Sequence, residues 1–427
     1  MLETQSCMHA AQDAIRSTIS RVLAKVNTLS AGGPGWTRPS YSDLESQAHD
    51  VIEAEVRALN MSVERDAAGN FFARLPGRES SLPPLYCGSH LDTVSQGGAY
   101  DGQAGVVGAL AVAAALRATG ITPAADFVLT ITRAEESVWF PVSYIGSRSV
   151  LGRLAPEDLN ARRVDTNRTL ADHMRDQGFD PDAVLQATPP EPARFLEFHI
   201  EQGPILDRAA EPFAIVSAIR GGLRYRRAQL HGTWAHSGGT PREARADVVV
   251  GFADLVLAMD RVWQEFLDRG DDLTVTFGKV DAASPVHAMA KVAGELSFCL
   301  DLRSGDPAML DTADQALRAE ITRIEAERPG LRFELGDQTR SAPARLSQSM
   351  MDWVAAGAES IQAPTPRRML SGGGHDAAAF ASAGWHSVMV FIRNWNGSHC
   401  PDEGMDPKDL AQAVEAVFVA LVSEAST

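Results

Sequence analysis

Histidines and carboxylates recur in five short motifs of this chain: G-S-H-L-D-T-V with His90 and Asp92, Y-D-G-Q-A-G with Asp101, T-R-A-E-E-S with Glu135 and Glu136, F-H-I-E-Q-G-P with His199, and N-G-S-H with His399. Imidazole and carboxylate without thiolate make a donor set that suits Mn, Zn, Co or Ni and does not choose among them. Taken singly, each motif is weak. An H-x-D is common by chance, a lone histidine at a strand end is more often a hydrogen-bonded core residue, and adjacent glutamates are usually solvated. What distinguishes these motifs is that each falls where a strand runs out. In an open α/β sheet, such positions converge on the crevice at the carboxyl edge of the strands. Donors gathered there suffice for two metals.

The elements that must gather them can be read from periodicity. Apolar residues at Ile15, Ile19, Val22 and Leu23, then at Leu44, Val51, Ile52, Val56 and Leu59, predict two covering helices in the first sixty residues. From residue 84 a strand (P-L-Y-C-G-S-H-L-D), a helix through Gly105–Leu116 stopped by Gly120, and a buried strand (D-F-V-L-T-I-T) alternate, which is the signature of an α/β sheet with crossover helices. A polar stretch with P-P-E-P at 189–192 precedes the strand R-F-L-E-F-H-I. The order then changes to strand (216–231), helix (243–268), strand (273–280), strand (294–303), helix (307–328) and strand (331–336). That is the β-α-β-β-α-β succession of a ferredoxin-like unit. Alternation resumes with S-V-M-V-F-I and a final helix opened by Asp406-Pro407. The expected fold is an α/β/α domain with a mixed sheet, built from residues 1–215 and 338–427. It is interrupted by a ferredoxin-like α+β domain over 216–337.

Composition narrows the partners. The 427 residues carry 39 Lys+Arg against 55 Asp+Glu, a formal charge of −16, so nucleic acid and anionic membrane surfaces are opposed at long range. An apolar fraction of 44% is enough to build real cores. The apolar run Gly105–Leu116 is shorter than the ~18 residues of a membrane span, and M-L-E-T-Q-S-C-M-H lacks a basic region followed by an apolar one. Cys7, Cys87, Cys299 and Cys400 show no paired spacing. The expectation is a soluble, cytoplasmic protein.

Four elements together resemble one family: H-I-E-Q-G-P (199–204), A-H-S-G-G-T-P (235–241), S-G-G-G-H-D-A (371–377), and the pair G-S-H-L-D with Y-D-G. The chain is similar, from about residue 8 to its end, to the hydantoinase/carbamoylase amidases. These include N-carbamoyl-L-amino acid hydrolases, allantoate amidohydrolase and ureidoglycolate amidohydrolase, within the aminoacylase/carboxypeptidase-like superfamily of two-metal hydrolases. The resemblance implies that Asp101 bridges two divalent cations, with His90 and His199 completing one site and Glu136 and His399 the other. It implies Glu135 as general base, the inserted domain as a dimerisation or lid element, and His236 as a donor reaching the substrate carbonyl of the other subunit. Gln202, His236, Arg303 and Gly374 would bind substrate. The chemistry agrees: a carboxylate can span cations ~3.5–4 Å apart, and water they share has its pKa drawn toward ~7. Asp92, two residues from His90, can accept its second ring N–H and fix the tautomer.

Two positions depart from the family pattern. Where relatives carry N-x-I-P-G, this chain has A-K-V-A-G (290–294), so an asparagine that partners the arginine is Ala290, with His287 three residues earlier as a compensating group. Where relatives read E-E-G-S-R-F-P, this chain reads E-E-S-V-W-F-P, with Trp139 either filling core volume or stacking on substrate. The expected activity is hydrolysis of a linear C–N amide or ureide bond, in an N-carbamoyl-L-amino acid or related ureido acid, by a homodimer. The alternatives are another N-acyl amino acid or small amide, and a non-catalytic metal- or ligand-binding protein on the same scaffold.

Overall fold

The computed structural model describes residues 2–30 and 32–425 of the 427, with side chains described from residue 6. Met1, Ala31, Ser426 and Thr427 lie outside the described residues, so the expected domain range reaches beyond them at both ends.

The chain divides into two compact units, one of residues 1–217 and 345–427 and one of residues Ala218–Ala344. In the larger unit the elements run α1 (Leu2–Val26), α2 (Asp43–Ala58), β1 (Ser62–Arg65), β2 (Phe71–Leu75), β3 (Leu85–His90), α3 (Gln103–Thr119), β4 (Phe127–Thr132), α4 (Ile145–Val150), β5 (Arg194–Ile200) and β6 (Phe213–Ile219). Among the described residues its sheet has nine strands, ordered β1-β2-β4-β3-β5, then His386–Ile392, β6 and Ala344–Arg345, with Arg368–Ser371 also on β6. The central strands β4, β3, β5 and His386–Ile392 are parallel, whereas β2 and β6 pair with them antiparallel. The sheet is therefore mixed, as expected.

Helix α3 explains how the sheet is closed over. Every residue from Gln103 to Leu116 is buried, and the helix ends at Gly120 in the left-handed conformation that a C-terminal cap requires. α1, α3 and the helix Pro407–Glu424 pack together in one apolar core with Ile15, Ile19, Val22, Leu110, Val414 and Phe418. Asp406 caps that last helix by accepting the Lys408 N–H at 2.9 Å. A second cluster around Phe140, Ile145 and Leu170 surrounds the segment after β4.

In the smaller unit, strands Gly221–His231, Thr274–Asp281, Glu295–Ser304 and Arg332–Glu334 with helices Val248–Asp268 and Pro307–Glu327 give the expected β-α-β-β-α-β order. The strands pair antiparallel, with Gly221–His231 and Glu295–Ser304 central. The structure moves two boundaries. The strand expected over 216–231 is two strands broken at Arg220, the first in the larger sheet and the second in the smaller. The added strand Gln338–Ser341 pairs with Gly221–His231, which carries the smaller unit past residue 337. Hydrophobic pattern alone could not show that one apolar run serves two sheets. No helix among the described residues is long and apolar enough to cross a membrane.

α3 packs tightly on the sheet at a glycine. A Cβ at Gly105 would collide with the Phe198 carbonyl of β5. Gly105→Ala is expected to destabilise the protein by ~1–3 kcal/mol, because a backbone neighbour cannot move aside as a side chain can. An unchanged melting temperature would contradict that packing.

Candidate metal centre

Because β3, β4, β5 and His386–Ile392 run parallel, the segments after them leave the same edge of the sheet. His90 is the last residue of β3, Glu135 and Glu136 follow β4, His199 lies near the end of β5, and His399 follows the strand His386–Ile392. Asp101 precedes α3. Its Oδ1 lies 3.2 Å from His199 Nε2 and 3.6 Å from His90 Nε2. Its Oδ2 lies 3.5 Å from His399 Nε2, which is 3.4 Å from Glu136 Oε1. Two donor sets thus share Asp101: His90, Asp101 and His199 in one, Asp101, Glu136 and His399 in the other, each with ligand atoms within 4.8 Å of one another. Donors ~2.0–2.2 Å from a common ion must stand about 3–4 Å apart, so these spacings fit a cation in each set.

The tautomers fit as well. His90 Nδ1 faces the Asp92 carbonyl at 3.0 Å and its carboxylate at 3.2 Å, and His199 Nδ1 faces the Ile200 carbonyl at 2.9 Å. Both rings therefore keep a proton on Nδ1 and direct Nε2 inward as the atom available to a cation. Asp92, expected to orient His90, also accepts the backbone N–H groups of Glu135 and Glu136 at 3.2 Å each. The D-G of Y-D-G has a steric reason: Gly102 has φ +63°, and a Cβ there would run into the His90 ring.

Burial separates the two sets. The side chains of His90 and His199 are 2% and 1% exposed, whereas His399 is 48% exposed, so the second set opens to solvent. His399 sits at φ +60° after Asn396 and Gly397, also left-handed, in a turn tied by Asn394 Nδ2 to the Gly397 carbonyl at 2.6 Å. Glu135 belongs to neither set, although its Oε2 is 3.9 Å from His90 Nε2.

The electrostatics are those of carboxylates crowded out of water. Burial raises the Glu135 carboxyl well above its usual range; His90 opposes this, and Glu136, Asp376 and Asp92 add to it. Burial raises Glu136 too, reinforced by Asp101. Burial would also raise Asp101, but the neighbouring His199, His90 and His399 hold it well below the usual range. Burial disfavours the charged His90 ring, yet its bond to Asp92 and the facing carboxylates raise it well above an ordinary histidine. Added cations reverse this logic by replacing those protons.

Among the expected substrate residues, Gln202, at φ +63°, donates from Nε2 to Asp101 Oδ2 at 2.7 Å. A Cβ at Gly374 would collide with the Tyr144 hydroxyl, so those two residues touch. His236 and Arg303 belong to the smaller unit. His236 Nδ1 accepts the N–H groups of Gly238 and Gly239 at 3.1 and 2.9 Å, which places the ring proton on Nε2, on an exposed side chain. Arg303 turns its Nε and Nη2 onto Asp301 at 3.0 and 2.9 Å. Ala290 accepts the Ser237 N–H at 2.9 Å, and the His287 ring stands edge-on to Trp234 at 4.7 Å. Trp139 is buried in the cluster around Phe140 and donates from Nε1 to the Thr93 carbonyl at 2.7 Å, so it braces the loop after His90.

Three further residues at this edge escaped the sequence reading. Glu403 accepts the N–H groups of Tyr100 and Asp101 at 2.9 and 3.2 Å, and Ser398 Oγ lies 2.6 Å from both Glu403 Oε2 and Asp101 Oδ2. Burial and then Asp101 push Glu403 up to about 7. His375 packs edge-on to His199 with ring centroids 4.4 Å apart and faces Ser371 Oγ at 2.9 Å. Glu403 stands four residues after His399, a spacing that could have flagged it.

A mixed sheet carrying carboxylate-bridged donor sets at its carboxyl edge defines a class of metal-dependent hydrolases, and the chain belongs to Peptidase family M20/M25/M40, whose model matches residues 86–423. Within it, the chain is 32% identical to an N-carbamoyl-L-amino-acid amidohydrolase of Paenarthrobacter aurescens, over 95% of this chain and 97% of that protein. It is 29% identical to the allantoate amidohydrolase of Escherichia coli K12, over 95% and 97%. A solved amidase of the hydantoinase/carbamoylase family from Burkholderia multivorans superposes with a TM-score of 0.86 at 27% identity, covering 96% of this chain and 98% of that one. The family read from the motifs is thereby borne out.

Asp101→Asn removes a donor from both sets and is expected to abolish retention of divalent ions by elemental analysis, whereas His399→Ala leaves the His90 and His199 set able to hold one. Equal retention by the two variants would contradict a shared aspartate. Because His90 and Glu136 hold their protons more tightly than free side chains, ion binding must expel them, and affinity is expected to rise with pH. Titration calorimetry with Mn²⁺ at pH 6 and pH 8 checks the sign.

Proposed function

We propose that this chain is a homodimeric, cytoplasmic two-metal amidohydrolase that cleaves the ureido C–N bond of an N-carbamoyl-L-amino acid or related ureido acid. The observation that carries the reading is the sharing of Asp101 between two donor sets with Glu135 close by and outside both. His90, Asp101 and His199 would hold one ion, and Asp101, Glu136 and His399 the other. Bound there, Mn, Zn, Co or Ni would supply Lewis acidity toward the scissile carbonyl and acidify a water between them.

The chain's own residues do the rest. Glu135 takes a proton from the attacking water and delivers it to the departing nitrogen, which requires a carboxylate free of the metals. His236, presented by the inserted domain of one subunit to the centre of the other, directs its Nε2–H at the developing oxyanion; the two glycine N–H groups on Nδ1 keep it a donor. Gln202 and Gly374 line the approach, and Arg303, whose fork matches a carboxylate, binds the substrate acid in competition with Asp301. With an N-carbamoyl substrate the products are the free amine, carbon dioxide and ammonia.

The relatives' names support this substrate class. Dimerisation through the inserted domain is supported by Val249, Val250 and Leu257, exposed on one face of the helix Val248–Asp268. A reducing compartment is supported by four unpaired cysteines. Ala290, where an amide is missing, favours another N-acyl amino acid as the second reading.

Hydrolysis of a panel of N-carbamoyl, N-formyl and N-acetyl L-amino acids, with Mn²⁺ and Zn²⁺ supplied separately, tests the assignment. Chelation is expected to abolish turnover and divalent ions to restore it. Glu135→Ala should keep fold and metal while losing ~10²–10⁴ in kcat. His236→Ala should lose ~10²–10³. Near-native turnover of Glu135→Ala removes that residue from the mechanism, and bound metal without hydrolysis of any panel member favours a binding protein.

A further inference from the structure

Four consecutive backbone N–H groups after β4 are each received by a side-chain oxygen. Arg133 donates to Asn70 Oδ1 at 2.9 Å, Ala134 to Glu45 Oε1 at 3.1 Å, and Glu135 and Glu136 to the two oxygens of Asp92 at 3.2 Å. On the other side, the carbonyls of Arg133, Ala134 and Glu135 accept the N–H groups of Gly146, Ile145 and Tyr144 at 2.8, 3.2 and 3.4 Å, at the start of α4. The glutamate segment is thus suspended between side chains from three other parts of the fold and one helix end. At its centre Ala134 has φ +52°, a conformation that a residue with a Cβ enters at a penalty of roughly tenfold in population.

The residue that meets Ala134 is Glu45, fully buried on α2, a helix whose apolar periodicity gave it only a covering role. Its Oε2 also accepts the Tyr41 N–H at 2.6 Å and Arg133 Nη1 at 3.0 Å. Every donor around this carboxylate is a backbone N–H or Arg133; both backbone donors, Tyr41 at φ +51° and Ala134 at φ +52°, are left-handed, and of the two it is Ala134 that stands next to Glu135 and Glu136.

We infer that Glu45 is a positioning residue: by accepting the Ala134 N–H it holds that residue left-handed, and the left-handed turn sets where Glu135 and Glu136 point. The inference rests on the reading of Glu135 as base and Glu136 as metal donor. A structural role confined to neutralising Arg133 would act on stability and would be indifferent to which residue stands at 134.

That difference gives the test. In Glu45→Gln one end of the carboxylate becomes an amide donor. Tyr41 and Arg133 together claim the remaining oxygen, which leaves the Ala134 N–H facing another donor. The Mn²⁺-loaded enzyme is expected to lose about tenfold or more in kcat with KM little changed, matching the penalty of the left-handed state. Mn²⁺ affinity at the set of Asp101, Glu136 and His399, read by titration calorimetry, should fall in parallel. Glycine adopts positive φ without that penalty, so Glu45→Gln/Ala134→Gly should recover several-fold in both readouts, with Ala134→Gly alone close to wild type. If Glu45→Gln does not fold, Glu45→Asp, which keeps the charge opposite Arg133 and shortens the reach, carries the same test.

A folded Glu45 variant with kcat and Mn²⁺ affinity within about twofold of wild type overturns the inference, as does a loss that glycine at 134 fails to reverse. If no panel substrate is turned over, the functional reading falls, while the Mn²⁺ affinities still decide the role of Glu45.

Discussion

Carboxylates withdrawn from water govern the architecture of this protein. Asp92, Asp101, Glu135, Glu136, Glu197, Asp376 and Glu403 are all buried toward one edge of the larger sheet. Such groups persist only when they are hydrogen-bonded, protonated or set against positive charge. The fold answers each case differently. Asp92 and Glu403 are met by backbone N–H groups, and Glu197 by the Ser89 hydroxyl and the Ala377 N–H. Asp101 faces three imidazoles. Glu136 has half-exposed His399 at 3.4 Å, and burial, then Asp101, raises its carboxyl against the opposing charge of His90. A site with this imbalance is prepared for cations, and metal binding and folding energy become difficult to separate in it.

The parts legible in the sequence were those tied to strand ends and to short motifs. The donor motifs fall at the carboxyl edge because β3, β4, β5 and His386–Ile392 are parallel, a consequence of the strand and helix alternation that the sequence displays. The parts that were not legible depend on contacts made across the chain. Glu45 sits on an amphipathic helix where a polar residue reads as surface, yet 88 residues separate it from the arginine it neutralises. For Trp139 the sequence leaves core filling and substrate stacking open, and its burial beside Phe140 with the indole N–H on the Thr93 carbonyl favours the core position. The guanidinium of Arg303 reads as a free anion site until Asp301, two residues back and so on the same face of the strand, is seen to occupy it.

The N-terminal helices illustrate how function can hide inside packing. α1 serves the apolar core with Ile15, Ile19 and Val22, whereas α2 contributes apolar residues at Ile52 and Val56 and a buried carboxylate one turn from its start. The residues between them also reach inward: Arg38 Nε donates to the Leu91 carbonyl at 2.9 Å, and Ser40 Oγ to Asp92 at 2.5 Å. The loop behind His90 is therefore fastened by side chains that precede every motif with recognisable chemistry.

Strand His386–Ile392 lies between β5 and β6, although residues 201–385 separate it from β5 and residues 220–385, with nearly all of the smaller unit, separate it from β6. During synthesis the ribosome must release that strand before β5 and β6 can be bridged, and His399 arrives later still. The ferredoxin-like unit has all its strands well before then. A nascent chain therefore carries one finished module beside a sheet with an open slot, exposing apolar edges to chaperones until the last segment zips in.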